Sequence, residues 1–395
     1  MKVPLFLLSA FCLLPFANAA TIEEAVRAAQ SQPQFEHALL MVDVEDDAGN
    51  VVFAQNAHTL MIPASVRKLF STSTVEQCLG RDAQMTTELW LDGSDVVIKG
   101  GADPSFGADR YGYDDRNTFA PFIDALRRRG IRRVRDVIAD VSFFDRVTIP
   151  FQWKAGNLTS TDASPVDAII YKENALDDAA MPSGGLYAGV DFRDALQRAG
   201  IPVDGAVRLQ VEPRAWSEKL ATIESPYLEQ LLMTVLKNSQ NLYAETLYKR
   251  LSAGGDKPAS YAASRDIESA FLTNEVGIDP SEFRFVDGSG LAPDDLVTPA
   301  AIVKMLRWMN APERRSFWWT VMAQPGGEGT LRNRLAFLAD RMRGKTGTVT
   351  GVNTLAGFVS GRDGTFRYFA VGWNHHLGSQ ATKLLDSIVE ALADF

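Results

Sequence analysis

Three pairs of apolar, strand-like segments, each joined by a short turn-forming sequence, constrain the fold of this chain more than any other feature. Such pairs are typical of antiparallel hairpins, because Gly, Asn, Asp and Ser favour the turn between two strands. The pairs are residues 39–44 with 51–54, 88–91 with 96–98, and 353–359 with 366–373. Residues from about 214 to about 340 have helical apolar spacing, and an amphipathic helix is predicted at 380–393. The sequence therefore predicts an α+β fold.

A ten-residue pattern, F-x-D-A-L-x-R-x-G-I, occurs twice after the second hairpin. It spans residues 122–131 and 192–201, and in each copy the glycine stands where a helix would end in a left-handed cap. A β-rich segment follows each copy, at residues 134–141 and 206–211. We interpret residues 86–213 as one small α/β domain built from two helix-to-strand halves. A chance similarity of two short segments is the alternative.

The first 19 residues have the pattern of a secretory signal peptide. Lys2 supplies the positive charge, residues 3–16 are apolar, and Ala17-Asn18-Ala19 is a small-x-small cleavage site. The apolar segment is too short to span a bilayer, and no later segment is long enough. After cleavage Cys78 is the only cysteine, so an internal disulfide is not expected. The prediction is a soluble periplasmic protein without a transmembrane anchor.

The net charge argues against a nucleic-acid-binding protein, and the motifs argue against a metalloenzyme. The 395 residues carry a formal net charge of −9, which argues against nucleic acid as a partner. The basic residues between 127 and 135 lack interleaved aromatic residues, so we interpret them as a solvated helix face. Neither H-E-x-x-H nor C-x-x-C occurs, and His375 and His376 would face opposite sides of a strand. No metal site and no cofactor are expected.

Three short motifs carry the chemistry of the chain. They are S-x-x-K at a predicted helix start (Ser65 to Lys68), S-x-N in a predicted helical region (Ser239 to Asn241), and K-T-G-T at the start of a strand (Lys345, Thr346, Gly347 and Thr348). Each is weak or moderate evidence alone. The first places an ammonium group beside a hydroxyl, because residues i and i+3 share one face of a helix.

These residue types suit nucleophilic catalysis by a serine. A serine hydroxyl becomes reactive when a base removes its proton, and a lysine can be that base if burial or a neighbouring cation lowers its pKa. The second motif adds a hydroxyl for proton transfer and an amide for orientation. The third can bind a carboxylate through Lys and Thr, while its Gly permits a close backbone approach. In this order the three motifs are the combination found in penicillin-binding proteins and class A β-lactamases.

The spacing of the motifs indicates which group of these proteins the chain resembles. Ser239 lies 174 positions after Ser65, far more than a β-lactamase needs, and residues 86–213 fill this interval. The chain thus resembles the class C low-molecular-mass penicillin-binding proteins, which are D-alanyl-D-alanine carboxypeptidases and endopeptidases with an inserted domain. Further matches are P-A-S at 63–65, G-A-D-P-S at 101–105, D-V-S-F-F at 140–144, D-G-S-G-L at 287–291 and G-T-L at 329–331. The inserted domain looks shorter than in larger members.

The resemblance implies a domain organisation. The fold would be penicillin-binding/β-lactamase-like, with an antiparallel sheet flanked by helices. Residues 20–85 and 214–395 would form a discontinuous transpeptidase-like catalytic domain, into which the small α/β domain of residues 86–213 is inserted.

The resemblance also implies acyl transfer through an acyl-enzyme on Ser65. Lys68 would deprotonate Ser65, backbone N–H groups of Ser65 and Thr348 would form the oxyanion hole, and Ser239 would pass a proton to the leaving amine. Asn241 would orient Lys68 and the substrate. The substrate would be a peptidoglycan stem peptide ending in D-Ala-D-Ala, and β-lactams would be covalent inhibitors. Lys345, which the resemblance also counts among the catalytic residues, would bind the terminal carboxylate together with Thr346 and Thr348. The other residues implied in substrate binding are Gly347 and Asp140, the latter at the free amino end of a diaminopimelate side chain.

Alternative functions differ in what they require of the sequence. A β-lactamase needs a deacylating carboxylate, and Glu275 lies in the relevant interval, but its neighbours form no supporting motif and we interpret it as a surface residue. A non-catalytic scaffold that binds wall peptides is disfavoured because every reactive position is intact. A solute-binding protein would have no reason to keep Ser65 and Lys68 together. Oligomeric state and the ratio of carboxypeptidase to endopeptidase activity do not follow from the pattern.

Overall fold

The structure is a computed structural model that describes residues 21–254, 257–361 and 364–393. The predicted signal peptide at residues 1–19 lies outside the described residues. The α-helices are α1 (Ile22–Gln30), α2 (Lys68–Leu79), α3 (Ala120–Arg129), α4 (Gly184–Arg198), α5 (Leu228–Lys237), α6 (Asn241–Arg250), α7 (Tyr261–Phe271), α8 (Pro299–Met309), α9 (Pro312–Val321) and α10 (Ala381–Ala393). In the part of the chain that the structure describes, no helix has both the length and the apolar character needed to cross a bilayer.

The strands fall into two five-stranded sheets and two short pairs. They are β1 (Leu39–Asp46), β2 (Val51–Gln55), β3 (Thr86–Asp92), β4 (Asp95–Gly101), β5 (Val137–Asp140), β6 (Ala175–Leu176), β7 (Ala179–Ala180), β8 (Val207–Gln210), β9 (Glu218–Glu224), β10 (Phe283–Arg284), β11 (Leu296–Val297), β12 (Met342–Val349), β13 (Val352–Ser360) and β14 (Phe366–Asn374). The three predicted hairpins, β1 with β2, β3 with β4 and β13 with β14, are confirmed.

The first sheet joins the two ends of the described chain. Its order is β12-β13-β14-β1-β2, and every neighbouring pair is antiparallel. Strand β1 pairs with β14 in register Val42 to Val371, so the early hairpin extends the late one. Strand β12 forms one edge, with Lys345 opposite Ala356. The sheet therefore places the third motif at its edge.

Helices cover both faces of this sheet because its strands have apolar side chains on both faces. In β1, Leu40, Val42 and Val44 pack in a core with α1 and α10, whereas Met41 points into a second core with α2, α5, α6 and α8. Successive side chains of a strand point to opposite faces, so a strand with consecutive apolar residues is buried on both faces. The predicted C-terminal amphipathic helix is confirmed as α10, which packs on the sheet.

The second sheet combines antiparallel and parallel strands in the order β8-β5-β4-β3-β9. Strand β5 runs parallel to both β4 and β8. The repeated pattern forms the ends of α3 and α4, and the glycines that follow, Gly130 and Gly200, have φ of 83° and 79°. Each helix is followed by a strand, β5 or β8, as the repeat predicts. The two halves lie side by side and share one core with Phe122 and Phe192.

The prediction that the chain is helical from residue 214 was wrong for residues 218–224. This segment is strand β9, which pairs with β3 so that Thr86 lies opposite Glu224. Its sequence, E-K-L-A-T-I-E, contains good helix formers, and only Ile223 is fully buried. Pairing at the edge of the sheet overrides this weak local preference. We infer that the inserted segment continues to residue 224, because a boundary at 213 separates β9 from its sheet.

A buried ion pair attaches the start of α2 to α7. The guanidinium group of Arg67, which has no exposed surface, donates to both carboxylate oxygens of Glu268 at 2.7 Å. Its Nε donates to the carbonyl oxygen of Asp287 at 3.0 Å, and its Cζ lies 3.9 Å from the centre of the Phe285 ring. Arg67 precedes Lys68 directly, so this pair holds the first motif against the helical core.

Replacing Arg67 should be strongly destabilising. In Arg67→Met the Glu268 carboxylate stays buried without its partner, which typically costs about 3–5 kcal/mol of folding stability. Urea unfolding followed by circular dichroism measures the change. The matched control is Arg133→Met, because Arg133 pairs with Asp204 on the exposed surface and such pairs contribute little. Equal unfolding midpoints for the two variants would contradict a stabilising role of the buried pair.

Candidate active site

The first motif lies on a tight turn that leads into α2. Residues Ala64–Arg67 form a 3-10 helix, and Lys68 is the first residue of α2. Ala64 has φ of 46°, a left-handed conformation that costs a non-glycine residue about 1–3 kcal/mol. The turn is held by Thr354 of β13, whose hydroxyl donates to the carbonyl oxygen of Pro63 at 2.7 Å. The sheet therefore stabilises a strained turn that presents half-buried Ser65.

Lys68 is buried, and its amine has three hydrogen-bond acceptors. Its Nζ donates to Ser65 Oγ at 2.8 Å, to Asn241 Oδ1 at 2.6 Å and to the carbonyl oxygen of Ser289 at 2.9 Å. Burial is the main cause that lowers the pKa of Lys68 to about 8, and it outweighs the nearby negative charges of Asp287, Glu245 and Asp162. A lysine with such a pKa can hold or release a proton near neutral pH.

The second motif lies in the turn between α5 and α6. The sequence predicted a helical region, which holds for the flanking residues, but Ser239 itself is left-handed with φ of 63°. This turn directs its Oγ towards Lys345, whose Nζ donates to it at 2.9 Å. Asn241 begins α6 and bridges two partners: its Oδ1 faces Lys68, and its Nδ2 donates to the carbonyl oxygen of Asp162 at 2.9 Å.

The third motif lies within the edge strand β12. Lys345 is fully buried and donates to Ser239 Oγ and to the carbonyl oxygen of Thr346 at 2.7 Å. Burial, together with the positive charge of Lys68, lowers the pKa of Lys345 well below its usual value. A bound carboxylate would favour the protonated form of Lys345. The hydroxyl of Thr346 donates to that of Thr330 at 2.8 Å, so the G-T-L segment supports β12 from the side.

Gly347 allows β12 to lie directly against the Ser65 turn. A methyl group at this position would lie 2.6 Å from the carbonyl oxygen of Pro63 and 3.0 Å from the backbone N of Ser65. Only glycine permits this approach. It brings the backbone of β12 close to the backbone N–H of Ser65, while Thr348 is exposed at the surface of the site. The oxyanion hole of Ser65 and Thr348 that the family resemblance implies stays a prediction.

Asp140 lies in the inserted segment and makes contacts of a different kind. It is the last residue of β5 and is 1% exposed. Its Oδ2 accepts from the indole of Trp216 at 2.6 Å, and its Oδ1 accepts from the backbone N of Ser142 at 3.0 Å. Both carboxylate oxygens thus have partners within the inserted segment.

Several residues that shape the site had no role in the sequence prediction. Ser289, an acceptor for Lys68, belongs to the D-G-S-G-L segment, which matched the family without an assigned function. Asp287 and Glu245 hold this segment through its backbone N–H groups. Their acidic side chains could be found in the sequence, but nothing local indicated that they face Lys68. Glu275 follows α7 and is exposed, in agreement with its interpretation as a surface residue.

The chain is similar to a family of known peptidases. The sequence profile described as the D-Ala-D-Ala carboxypeptidase 3 (S13) family matches residues 22–184 and 177–394. Carboxypeptidase DacB of Mycolicibacterium smegmatis is 28% identical over 368 residues, which cover 88% of this chain and 78% of the relative. The D-alanyl-D-alanine carboxypeptidase of Actinomadura sp. (strain R39) is 25% identical over 490 residues, covering 100% of this chain and 89% of the relative.

Solved structures show the same fold. Penicillin binding protein 4 of Haemophilus influenzae superposes with a TM-score of 0.83 at 21% identity, and the match covers 93% of this chain and 98% of that chain. The Haemophilus protein has also been solved in complex with a β-lactam, with a TM-score of 0.74. The predicted α+β fold of the penicillin-binding/β-lactamase type is confirmed.

Replacing Gly347 should impair the reaction of the site with a β-lactam. In Gly347→Ala the added methyl group forces β12 away from the Ser65 turn, and a misplacement of about 1 Å can cost about 100-fold in rate. The measurement is the rate of covalent labelling by a fluorescent penicillin. The control is Gly130→Ala, whose methyl group meets nothing within 4 Å although its φ of 83° makes the substitution strained. Equal labelling rates in both variants would refute the close-approach argument.

Proposed function

Because the chain belongs to the D-Ala-D-Ala carboxypeptidase 3 (S13) family, we propose that Ser65 is its nucleophile and Lys68 the base that activates it. The protein is a serine D-alanyl-D-alanine carboxypeptidase/endopeptidase that acts on peptidoglycan. The observation that carries the residue assignment is the 2.8 Å hydrogen bond from Lys68 Nζ to Ser65 Oγ. Burial of the amine favours its neutral form, which can accept the proton of Ser65.

The substrate carboxylate would bind at the edge of β12. Lys345 supplies the charge, and the hydroxyls of Thr346 and Thr348 supply hydrogen bonds. In a stem peptide that ends in D-Ala-D-Ala, this placement brings the carbonyl between the two D-Ala residues to Ser65. Asn241 would hold the peptide backbone through the second N–H of its Nδ2, since Oδ1 accepts from Lys68 and the first N–H donates to the Asp162 carbonyl oxygen.

Acylation would proceed with a defined path for the proton. Ser65 Oγ bonds to the carbonyl carbon as its proton passes to Lys68, and the oxyanion is held by the backbone N–H groups of Ser65 and Thr348. Ser239, whose Oγ accepts a hydrogen bond from Lys345, would relay the proton that Lys68 has taken up to the leaving amine, which leaves Lys68 neutral again. The C–N bond then breaks, D-Ala leaves, and an ester on Ser65 remains. Water hydrolyses this ester with Lys68 as base.

Endopeptidase cleavage would use the same residues. The bond in a cross-link is again the amide that follows a D-Ala carbonyl, and the leaving amine then belongs to a neighbouring stem. Recognition of a free diaminopimelate amino group by Asp140 stays a prediction. Asp140 is 1% exposed and its carboxylate already accepts from Trp216 and Ser142, so a ligand reaches it only if the groups that cover it move aside.

Periplasmic action is part of the proposal. It is supported by the signal-peptide pattern at residues 1–19, because peptidoglycan substrates lie outside the cytoplasm. A β-lactamase is the less favoured function, since the exposed carboxylate considered for deacylation, Glu275, follows α7 and has no contact with the motif residues among those described.

Incubation with benzylpenicillin should produce one covalent adduct on Ser65. Intact-protein mass spectrometry is expected to show a persistent single adduct on the mature protein and none on Ser65→Ala. The matched control is Ser316→Ala, an exposed serine of α9, which should be labelled like the unmodified protein. Release of D-Ala from a stem peptide then measures the natural reaction. An adduct that persists in Ser65→Ala would refute the assignment, and fast adduct loss with drug turnover would indicate a β-lactamase.

The acylation rate should rise with pH. Because Lys68 acts in its neutral form and burial lowers its pKa to about 8, the rate should be half-maximal near pH 8 and fall about tenfold per pH unit well below it. Stopped-flow labelling between pH 5.5 and 9.5 measures the profile. Lys68→Met should lose the reaction, whereas Lys383→Met, on the exposed side of α10, should keep the profile. A rate independent of pH over this range would exclude Lys68 as the base.

A further inference from the structure

Two acceptors of the Lys68 amine are themselves held by the inserted segment. Besides Ser65, the amine contacts Asn241 Oδ1 and the carbonyl oxygen of Ser289. Asn241 donates from its other side to the backbone carbonyl of Asp162, which lies between β5 and β6. The inserted segment thus reaches the first of these acceptors directly.

The inserted segment contacts the second acceptor, the Ser289 carbonyl, indirectly through Asp287. The indole N–H of Trp153, in the inserted segment, donates to Asp287 Oδ2 at 2.9 Å. The same oxygen accepts from the backbone N of Ala292 at 2.8 Å, while Oδ1 accepts from those of Ser289 at 3.0 Å and Gly290 at 2.7 Å. The backbone N–H groups of this loop therefore surround the Asp287 carboxylate. Trp153 donates to it from the inserted segment, and the Asp295 side chain also lies within hydrogen-bond reach of it.

Helix α6 also holds the loop that contains Ser289. Glu245 accepts from the backbone N of Gly288 at 3.0 Å and of Ser289 at 2.7 Å. Burial, with the charge of Asp287 as the next cause, raises the pKa of Glu245 to about 8. The position of the Ser289 carbonyl thus depends on two buried acids, one of which is tied to the inserted segment.

Apolar packing makes the contact with the inserted segment rigid. Trp153 is 6% exposed and lies in a cluster with side chains from both parts of the chain. Members from the inserted segment include Phe144 and Val166, and members from the catalytic part include Leu242, Val286 and Ala292. Leu242 follows Asn241, and Val286 precedes Asp287. The cluster therefore fixes both acceptors of Lys68 relative to the inserted segment.

We propose that Trp153 is a positioning residue for the Lys68 base, acting through the Asp287 carboxylate and the Ser289 carbonyl. The inserted segment then has a function in the chemical step as well as any role in substrate binding. This inference rests on the proposed function of Ser65 and Lys68. Its mechanism is geometric: without the indole N–H, the loop loosens, and the lysine amine loses a fixed acceptor and its alignment with Ser65 Oγ.

The test compares Trp153→Phe with Trp216→Phe. Both substitutions keep an aromatic ring and remove an indole N–H that donates to a buried aspartate of the chain. Only Trp153 is linked to Lys68. The measurement is the rate of Ser65 acylation by benzylpenicillin as a function of drug concentration and pH, with thermal unfolding as a check that each variant is folded.

The expected result separates positioning from binding. Trp153→Phe should lower the acylation rate at saturating drug about tenfold, since partial misplacement of a catalytic group costs less than the about 100-fold of a full ångström. The concentration for half-saturation should stay unchanged. The midpoint of the pH profile should move to lower pH, because an ammonium group that loses an acceptor is easier to deprotonate. The substitution leaves the other groups that face this amine, Asp287, Glu245, Asp162 and Arg67, in the chain. Glu245, whose pKa burial raises, titrates in both proteins, so the comparison with the unmodified protein isolates the effect of Trp153.

A second variant keeps the test decisive if Trp153→Phe folds poorly. Trp153→Tyr retains a ring and adds a hydroxyl that can donate to Asp287, so it should recover part of the acylation rate. Unchanged rate and pH midpoint in folded Trp153→Phe would overturn the inference, and so would an equal loss in Trp216→Phe. Absence of any adduct on the unmodified protein would instead overturn the proposed function itself.

Discussion

Burial of the Lys68 amine against Ser65 is the constraint on which the rest of the structure depends. A buried ammonium group is costly, by several kcal/mol, unless acceptors surround it. Here the acceptors come from three separate parts of the chain: Ser65 on the turn before α2, Asn241 at the start of α6, and the Ser289 carbonyl. The site can form only when all three parts are in place. The same burial lowers the pKa of Lys68 to about 8.

The antiparallel sheet supplies the rigid edge against which this arrangement is assembled. Strand β12 carries Lys345 and approaches the Ser65 turn where Gly347 leaves no side chain. Strand β13 holds the turn through Thr354, and α7 holds it through the ion pair of Glu268 with Arg67. A turn with a strained residue at Ala64 persists because packing on several sides determines it. Ser65 is thus placed by tertiary contacts of its neighbours Ala64, Pro63 and Arg67.

The inserted segment is attached to the site around Lys68 by hydrogen bonds and apolar contacts as well as by the chain itself. Trp153 and the carbonyl of Asp162 contact the residues that hold Lys68, and an apolar cluster surrounds these contacts. Asp140, by contrast, makes its hydrogen bonds within the inserted segment itself. One segment therefore contains both Asp140 and contacts that extend to the residues around the Lys68 amine.

What the sequence by itself determined is the part of the fold and the chemistry that depends on neighbours within a few residues. Turn residues, apolar periodicity and helix caps predicted the three hairpins, α10 and the repeated helix-to-strand halves, and three motifs predicted Ser65, Lys68, Ser239, Asn241 and Lys345 as one group. Only the tertiary structure decided the pairing of β1 with β14 and the membership of β9 in the second sheet. It also decided the left-handed turn at Ser239 and the path from Trp153 through Asp287 to Lys68. These features depend on burial and on contacts between residues more than a hundred positions apart, and no local pattern of side chains specifies them.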